Sequence, residues 1–195
     1  MTRRTQSLSA DYFEGMYAEN ADPWRFATSD YEREKYAATV ATLPKAHYRS
    51  AVEIGCSIGI LTRQLAARCD AILGTDVVAS ALASARALNA DQPNVRFEQG
   101  AVPKDWPEGR FDLVVLSEVT YFLDRPDVAR LARKVEGALE PGGDIVLVHW
   151  LGLTDFPLTG DEAPEAFIAE TAGFTRVLHQ ERTADYRLDV LTRKA

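Results

Sequence analysis

The sequence predicts a single α/β domain: a doubly wound, mostly parallel sheet with an antiparallel C-terminal strand and a helical N-terminal cap. Three observations predict it. Short β-branched runs alternate with helical patterns from residue 51 onward, and such alternation builds a parallel sheet with right-handed crossovers. The runs FDLVVLS (111–117) and DIVLVHW (144–150) are almost continuously apolar, as expected of central strands covered on both faces. The C-terminus then breaks the pattern. FTRVLHQER (174–182) and YRLDVLTR (186–193) flank a short polar turn and read as an antiparallel pair. A chain of 195 residues suits one domain with a sizeable core.

Taken in order, residues 1–50 read as helices and turns (ENADPWRF, ATLPKAHYRS) that lie over the sheet's edge as a cap, and 51–195 as the core. AVEIG (51–55), AILGTD (71–76) and NVRFEQ (94–99) supply the first three strands. Helices are expected over 60–69, over the alanine-rich 78–90 and over 125–139. In the last, Val128, Leu131, Ala132, Val135 and Leu139 form one apolar stripe. Asp124 and Pro126 mark its start and PGG (141–143) lies beyond its end. A further helix across roughly 162–172 precedes the final strand pair. Internal repeats and low-complexity segments are absent.

The totals exclude several classes. Net charge is −7 and the pI about 5.0, which argues against a nucleic-acid partner, whose usual footprint is a basic patch. The chain holds no run of about 18 apolar residues, so a membrane partner is not expected. MTRRTQSLSADYF has arginines without an apolar stretch behind them and does not read as a secretory signal. Cys56 and Cys69 lack metal-ligand spacing, and no His/Asp/Glu cluster suggests a metal. Cys69 shares a helical face with Leu61 and Leu65, which predicts a buried thiol in a reduced, cytoplasmic protein.

The chemistry concentrates in AVEIGCSIGI (51–60), an apolar strand running into a glycine-bearing turn. In open α/β sheets, ligands bind outside the carboxyl ends of strands. A dinucleotide needs G-x-G-x-x-G, so that the backbone approaches the pyrophosphate. Aligned on Gly55, that pattern meets Ser57 and Ile60 where glycines belong. A phosphate-binding P-loop also fails, because no Gly-Lys-Ser/Thr follows. What remains is Glu53, Gly55 and Gly59, with Asp76 at the end of the second strand, 17 residues past Gly59. The plain alternatives are a solvated strand-end acid at Glu53 and a helix N-cap at Asp76.

This set resembles motif I of the class I S-adenosylmethionine-dependent methyltransferases, a Rossmann-like family whose usual form is acidic-x-G-x-G-x-G. The resemblance implies S-adenosyl-L-methionine as cofactor, Asp76 accepting both ribose hydroxyls, and Val77 packing on adenine. It places Gly100, Ala101 and Val102, after the third strand, along the adenine. The family often has an aspartate where this chain has Ala101. Cys56 in the turn and Ser117 at the end of the fourth strand complete the implied set. FDLVVLSEVTYFL (111–123) resembles motif IV, and LEPGGDIVLV (139–148) the junction before the fifth strand. Together these cover roughly residues 50–150.

Methyl transfer from a sulfonium is an in-line displacement that needs alignment, exclusion of water and a free lone pair on the acceptor. Glu118, just past the fourth strand, and His149, near the end of the fifth, are the candidates to orient the acceptor or take its proton. From Gly152 to Thr175 the sequence carries Asp155, Asp161, Glu162, Glu165 and Glu170 without a lysine or arginine. Such an acidic rim favours a cationic or amine-bearing acceptor; the plain alternative is that Asp161 and Glu162 merely start a helix. ADPWRF with YEREKY (31–36) and SEVTYFL resembles the NodS family, rhizobial enzymes that N-methylate a deacetylated chitooligosaccharide. That resemblance implies N-methylation of an amino sugar or related amine. It also implies that the N-terminal segment covers the cofactor, with Trp24 closing over it and Arg25 or Arg33 pairing with its carboxylate. Trp24 reads equally as a core anchor for the cap. The closest rival is an O-methyltransferase of a small natural product, leaning on His149 as base. A nicotinamide-dependent oxidoreductase is opposed by Ser57 and Ile60, and a non-catalytic module by the intact Glu53, Gly55, Gly59 and Asp76. Nucleic-acid modification is opposed by the lack of an N-P-P-Y-type motif after the fourth strand. The oligomeric state is left open.

Overall fold

The structure is a computed structural model and describes residues 2–194. The strands lie in the order Val95–Gln99, Ile72–Asp76, Ala51–Ile54, Phe111–Ser117, Leu139–Trp150, Tyr186–Arg193, Thr175–Arg182, with every observed pairing parallel except those made by Tyr186–Arg193. The expected α/β architecture is therefore present, including the antiparallel C-terminal strand. The chain divides into two compact units, Ser9–Pro107 and the residues up to Leu8 together with those from Glu108 onward.

The Ser9–Pro107 unit contains α1 (Ala10–Glu19), α2 (Asp30–Ala41), β1 (Ala51–Ile54), α3 (Ile60–Ala66), β2 (Ile72–Asp76), α4 (Ala79–Leu88) and β3 (Val95–Gln99). β1 pairs with β2 from Ala51↔Ile72 to Ile54↔Thr75, and β2 with β3 from Ile72↔Val95 to Asp76↔Gln99. All of β1 is buried, which explains its lack of alternation, whereas β3 is largely exposed. α4 forms where alanines lose little side-chain entropy, and it buries Ala81, Leu82 and Ala85. The side chain of Ser29 caps α2 by accepting the Glu32 N–H at 3.3 Å.

The N-terminal cap does not rest on a sheet edge as expected. Tyr17, Phe13, Trp24 and Phe26 pack with Ile58, Val78 and Ala81, that is, on the glycine turn and the start of α4. Aromatic side chains need a dry partner, and Ile58 and Val78 at the carboxyl ends of β1 and β2 supply one.

The second unit contains β4 (Phe111–Ser117), α5 (Arg125–Ala138), β5 (Leu139–Trp150), α6 (Glu162–Thr171), β6 (Thr175–Arg182) and β7 (Tyr186–Arg193), with a 3₁₀ turn at Thr120–Phe122. Asp124 caps α5 by accepting the Asp127 N–H at 2.9 Å, and the predicted stripe is buried. PGG does not lie outside the elements as expected. β5 begins at Leu139, and its pairing with β4 shifts between Phe111↔Leu139 and Leu113↔Asp144, an irregularity that accommodates three extra residues of β5 in the stretch holding PGG. Gly142 takes a φ of +69° there.

The first residues depart from the expected 1–50 cap. Arg4 N–H donates to Asp155 O at 2.8 Å and Leu8 N–H to Phe122 O at 2.9 Å, so this segment straps the loop after β5 and the cap begins at Ser9. Among the described residues no helix is long and apolar enough to cross a membrane.

Candidate functional site

In the Ser9–Pro107 unit, the turn after β1 is built from left-handed residues: Gly55 (φ +74°), Ser57 (φ +51°) and Gly59 (φ +78°). The N–H groups of Gly55 and Cys56 both donate to Thr75 O, at 2.7 and 2.9 Å, which ties the turn to β2. A Cβ on Gly59 would come within 2.8 Å of Asn89 Nδ2 and 2.9 Å of Ala85 Cβ, so close packing against α4 also demands glycine.

Asp76 stands at the end of β2. Its Oδ2 accepts the Ser57 N–H and its Oδ1 the Val78 N–H, each at 2.9 Å. A carboxylate offers about four lone-pair positions, so two bonds leave capacity for a pair of vicinal hydroxyls. The helix α4 itself has Val78 at its N-cap and no side-chain cap, so the N-cap alternative for Asp76 does not hold. Desolvation raises its pKa, opposed by the N–H groups of Val78, Ser57 and Val77.

Glu53 is not a solvated acid. It is 2% exposed, and Thr62 donates to its Oε2 at 2.5 Å. Burial pushes its pKa up to about 8, with the Thr62 hydrogen bond opposing and the Asp76 charge adding to the rise. Burial likewise raises the Cys56 thiol, so Cys56 contributes packing and backbone rather than a thiolate. Cys69 is buried as expected.

Val77 packs against the aromatic cap cluster, and its carbonyl accepts from Gln99 Nε2 at 2.9 Å. Beyond β3, Gly100 N–H donates to Asp76 O at 3.0 Å. Ala101 N–H meets Asp105 Oδ2 at 3.2 Å, and the Asp105 N–H returns to Ala101 O at 2.8 Å. Val102 follows, partly buried. The reading of the sequence missed Asp105. The signal was there: Ala101 lacks an acid, and the next acid lies four positions on.

Tyr17 was missed too. Its hydroxyl is hydrogen-bonded to Ser57 Oγ, and burial followed by the Asp76 charge raises its pKa. Trp24 sits edge-on to Tyr17 at 5.7 Å and against Phe26 at 5.6 Å, which is the anchoring geometry. In ADPWRF the Asp22 carboxylate accepts the N–H groups of Phe26 and Ala27 at 2.8 and 2.9 Å, closing a turn in which Arg25 has φ +60°. Arg25 is exposed. Arg33 pairs with Asp30 at 2.6 Å on the exposed face of α2, a surface contact that solvent weakens.

In the second unit Ser117 ends β4, buried, and Glu118 follows at φ +57°. Left-handed backbone at a non-glycine residue is uncommon and collects at functional positions. Glu118 Oε2 accepts the Tyr121 hydroxyl at 2.6 Å and the Trp150 N–H at 3.0 Å. His149 is fully buried. Its Nε2 is hydrogen-bonded to Thr120 Oγ1, and its ring meets Tyr121 at 5.2 Å. Glu118 and His149 thus converge on Tyr121, the first through its hydroxyl and the second through its ring, with Phe156 on Tyr121 as well.

The acidic segment is not a free negative rim. Asp155 pairs with Arg4 at 3.0 Å and Glu162 with Arg3 at 2.5 Å. Asp161 pairs with Arg182 at 3.0 Å and Glu165 with Arg187 at 3.0 Å. Arginines from distant parts of the chain neutralise four of the five carboxylates, and the electrostatic argument for a cationic acceptor loses its basis. Among the described residues no three His, Cys, Asp or Glu side chains group as metal ligands do.

Comparison with known proteins matches residues 12–146 to the family described as Nodulation protein S (NodS). Nodulation protein S of Rhizobium tropici is 31% identical over 129 residues, 64% of this chain and 53% of that protein. Trans-aconitate 2-methyltransferase of Deinococcus radiodurans is 34% identical over 146 residues, 70% of this chain and 52% of that protein. The chain thus spans about half the length of these curated relatives. The crystal structure of N-methyltransferase NodS from Bradyrhizobium japonicum WM9, in complex with S-adenosyl-L-homocysteine, superposes with a TM-score of 0.80 at 21% identity. It covers 95% of this chain and 98% of that one, and the likeness is one of fold.

Proposed function

Because this chain belongs to the NodS family, we propose that it is an S-adenosyl-L-methionine-dependent methyltransferase acting on a small molecule, and that its acceptor atom is an amino nitrogen of a sugar or related amine. The observation that carries the cofactor assignment is the pairing of a left-handed Gly55–Gly59 turn with Asp76, whose carboxylate keeps acceptor capacity after binding two N–H groups. This acceptor carboxylate suits a ribose diol. Bound there, S-adenosyl-L-methionine supplies an electrophilic methyl on sulfonium.

The chain's own residues do the rest. Asp76 holds the ribose hydroxyls, Val77 and the Gly100–Ala101–Val102 segment line the base, and Asp105 provides the acid for the exocyclic amine that Ala101 lacks. Trp24 closes the cap, and Arg25, exposed and already held in the Asp22 turn, pairs with the amino-acid carboxylate. Arg33 serves that role only by leaving Asp30. Glu118 orients the acceptor and takes its proton, because Tyr121 and the Trp150 N–H fix its carboxylate. His149, wholly buried, braces Tyr121 instead of touching the acceptor. Two buried cysteine thiols fit a reducing, cytoplasmic setting.

A second reading has a specific support. The Deinococcus relative is named for an acid acceptor, and the neutralised rim does not select for amines. O-methylation of a carboxylate then needs no general base at all, since the acceptor is already ionised. The experiment is calorimetric titration of S-adenosylhomocysteine, with NADH as control, followed by labelled-methyl transfer to amino sugars and to polycarboxylic acids. Micromolar binding of S-adenosylhomocysteine alone is expected, with label on the amine. Label on the acids alone overturns the N-methyl reading, and binding of neither ligand overturns the enzyme.

A further inference from the structure

Ser57 occupies the place of motif I where a glycine is usual, yet it keeps a glycine's backbone, with φ +51°. A residue with a Cβ in this region is strained and persists only where its surroundings hold it. Two contacts do so. The Ser57 N–H donates to Asp76 Oδ2 at 2.9 Å, and Ser57 Oγ is hydrogen-bonded to the Tyr17 hydroxyl. Ser57 is 9% exposed and Tyr17 7%, so water competes little for that bond. The Tyr17 ring is itself fixed, edge-on to Trp24 and packed with Ile58, Val78 and Ala81. Its raised pKa keeps the phenol protonated and able to donate.

We propose that Tyr17 is a positioning residue of the cofactor turn: its hydroxyl holds Ser57 in the left-handed conformation that aims the Ser57 N–H at Asp76, and so sets affinity for S-adenosyl ligands. The chain of contacts runs from α1 through Tyr17 and Ser57 to Asp76. The missing glycine is thereby replaced by a serine and a tyrosine acting as a pair, and a helix distant in sequence becomes part of the cofactor site. The inference rests on the cofactor reading given above.

The test is a double-mutant cycle read by calorimetric titration of S-adenosylhomocysteine into the full chain. Tyr17→Phe keeps the ring and removes the hydroxyl. It should weaken binding about tenfold, the scale of one buried hydrogen bond. In a Ser57→Gly background, where glycine adopts φ +51° unaided, the same Tyr17→Phe change should cost less than about twofold. Ser57→Ala removes the bond from the other side and should match Tyr17→Phe, which keeps the test open if the tyrosine variant fails to fold. Equal losses from Tyr17→Phe in both backgrounds, or no loss in the wild type, overturn the proposal and leave Tyr17 a packing residue. Failure of the wild type to bind is a separate outcome, because it removes the cofactor reading and the inference together.

Discussion

The ionisable groups around the glycine turn and those at the start of α6 are treated in opposite ways. In Ser9–Pro107, burial drives the carboxyls of Glu53 and Asp76, the Cys56 thiol and the Tyr17 phenol upward, away from their charged forms. In the second unit, the carboxyls of Asp161 and Glu162 go down. Arg182 holds the first and the Thr159 N–H holds the second, with Arg3 adding to it. One region keeps polar groups dry and under-compensated, which is the condition for strong binding of a polar ligand. The other uses its charges as fasteners, Glu162 to the N-terminal strap through Arg3 and Asp161 to β6 through Arg182. The difference teaches where to look for cofactor chemistry, and it removes a reason for expecting that the loop attracts cations.

The largest expected effect breaks the first region. Asp76→Ala removes two charge-assisted acceptor sites for the ribose diol, each worth about 1.5–3 kcal/mol. It should therefore weaken S-adenosylhomocysteine binding about a hundredfold or more, as measured by calorimetry. Near-normal affinity would mean that Asp76 only ties the turn to β2 through the Ser57 and Val78 N–H groups. The next effect separates the regions. Glu118→Gln should lower turnover about a hundredfold, the low end of the range of general-base catalysis, while affinity for S-adenosylhomocysteine stays within about twofold. Loss of affinity with normal turnover would make Glu118 a cofactor residue and dissolve the distinction.

What the sequence made legible follows the same division. The fold was readable because β4 and β5 are apolar runs and α5 carries a clean stripe. The turn was readable because Glu53, Gly55, Gly59 and Asp76 lie within one β–α–β unit, where spacing reports geometry. Tyr17 was not, since its partner Ser57 lies 40 residues away and no local pattern names a hydroxyl's partner. The acidic segment misled for a related reason. Its composition lacks arginine, but Arg4 reaches Asp155 across 151 positions, and charge counted over a window ignores partners from outside it. The start of β5 at Leu139 was hidden because PGG ordinarily ends elements, and only pairing with β4 draws it into the strand.

The smallest effect uses pH to weigh the two regions within one protein. For Glu53 the unfolded carboxyl titrates near 4.5 and the folded one at about 8. Between those values the unfolded chain has lost a proton that the fold retains, so stability falls as pH rises and levels off above about 8. Asp76, also raised, adds a slope of the same sign. Asp161 and Glu162, both lowered, contribute stability that is present above their unfolded values and lost as pH falls through their folded ones. The wild-type melting temperature should therefore decline on both sides of a maximum in mildly acidic solution. Glu53→Gln cannot titrate and removes one contribution to the alkaline decline. Relative to wild type, its melting temperature should rise by roughly 4 °C or more from pH 5 to pH 8, with the acid limb unchanged. A constant offset across that range would mean that Glu53 is ionised in the fold, and the dry character assigned to the turn would go with it.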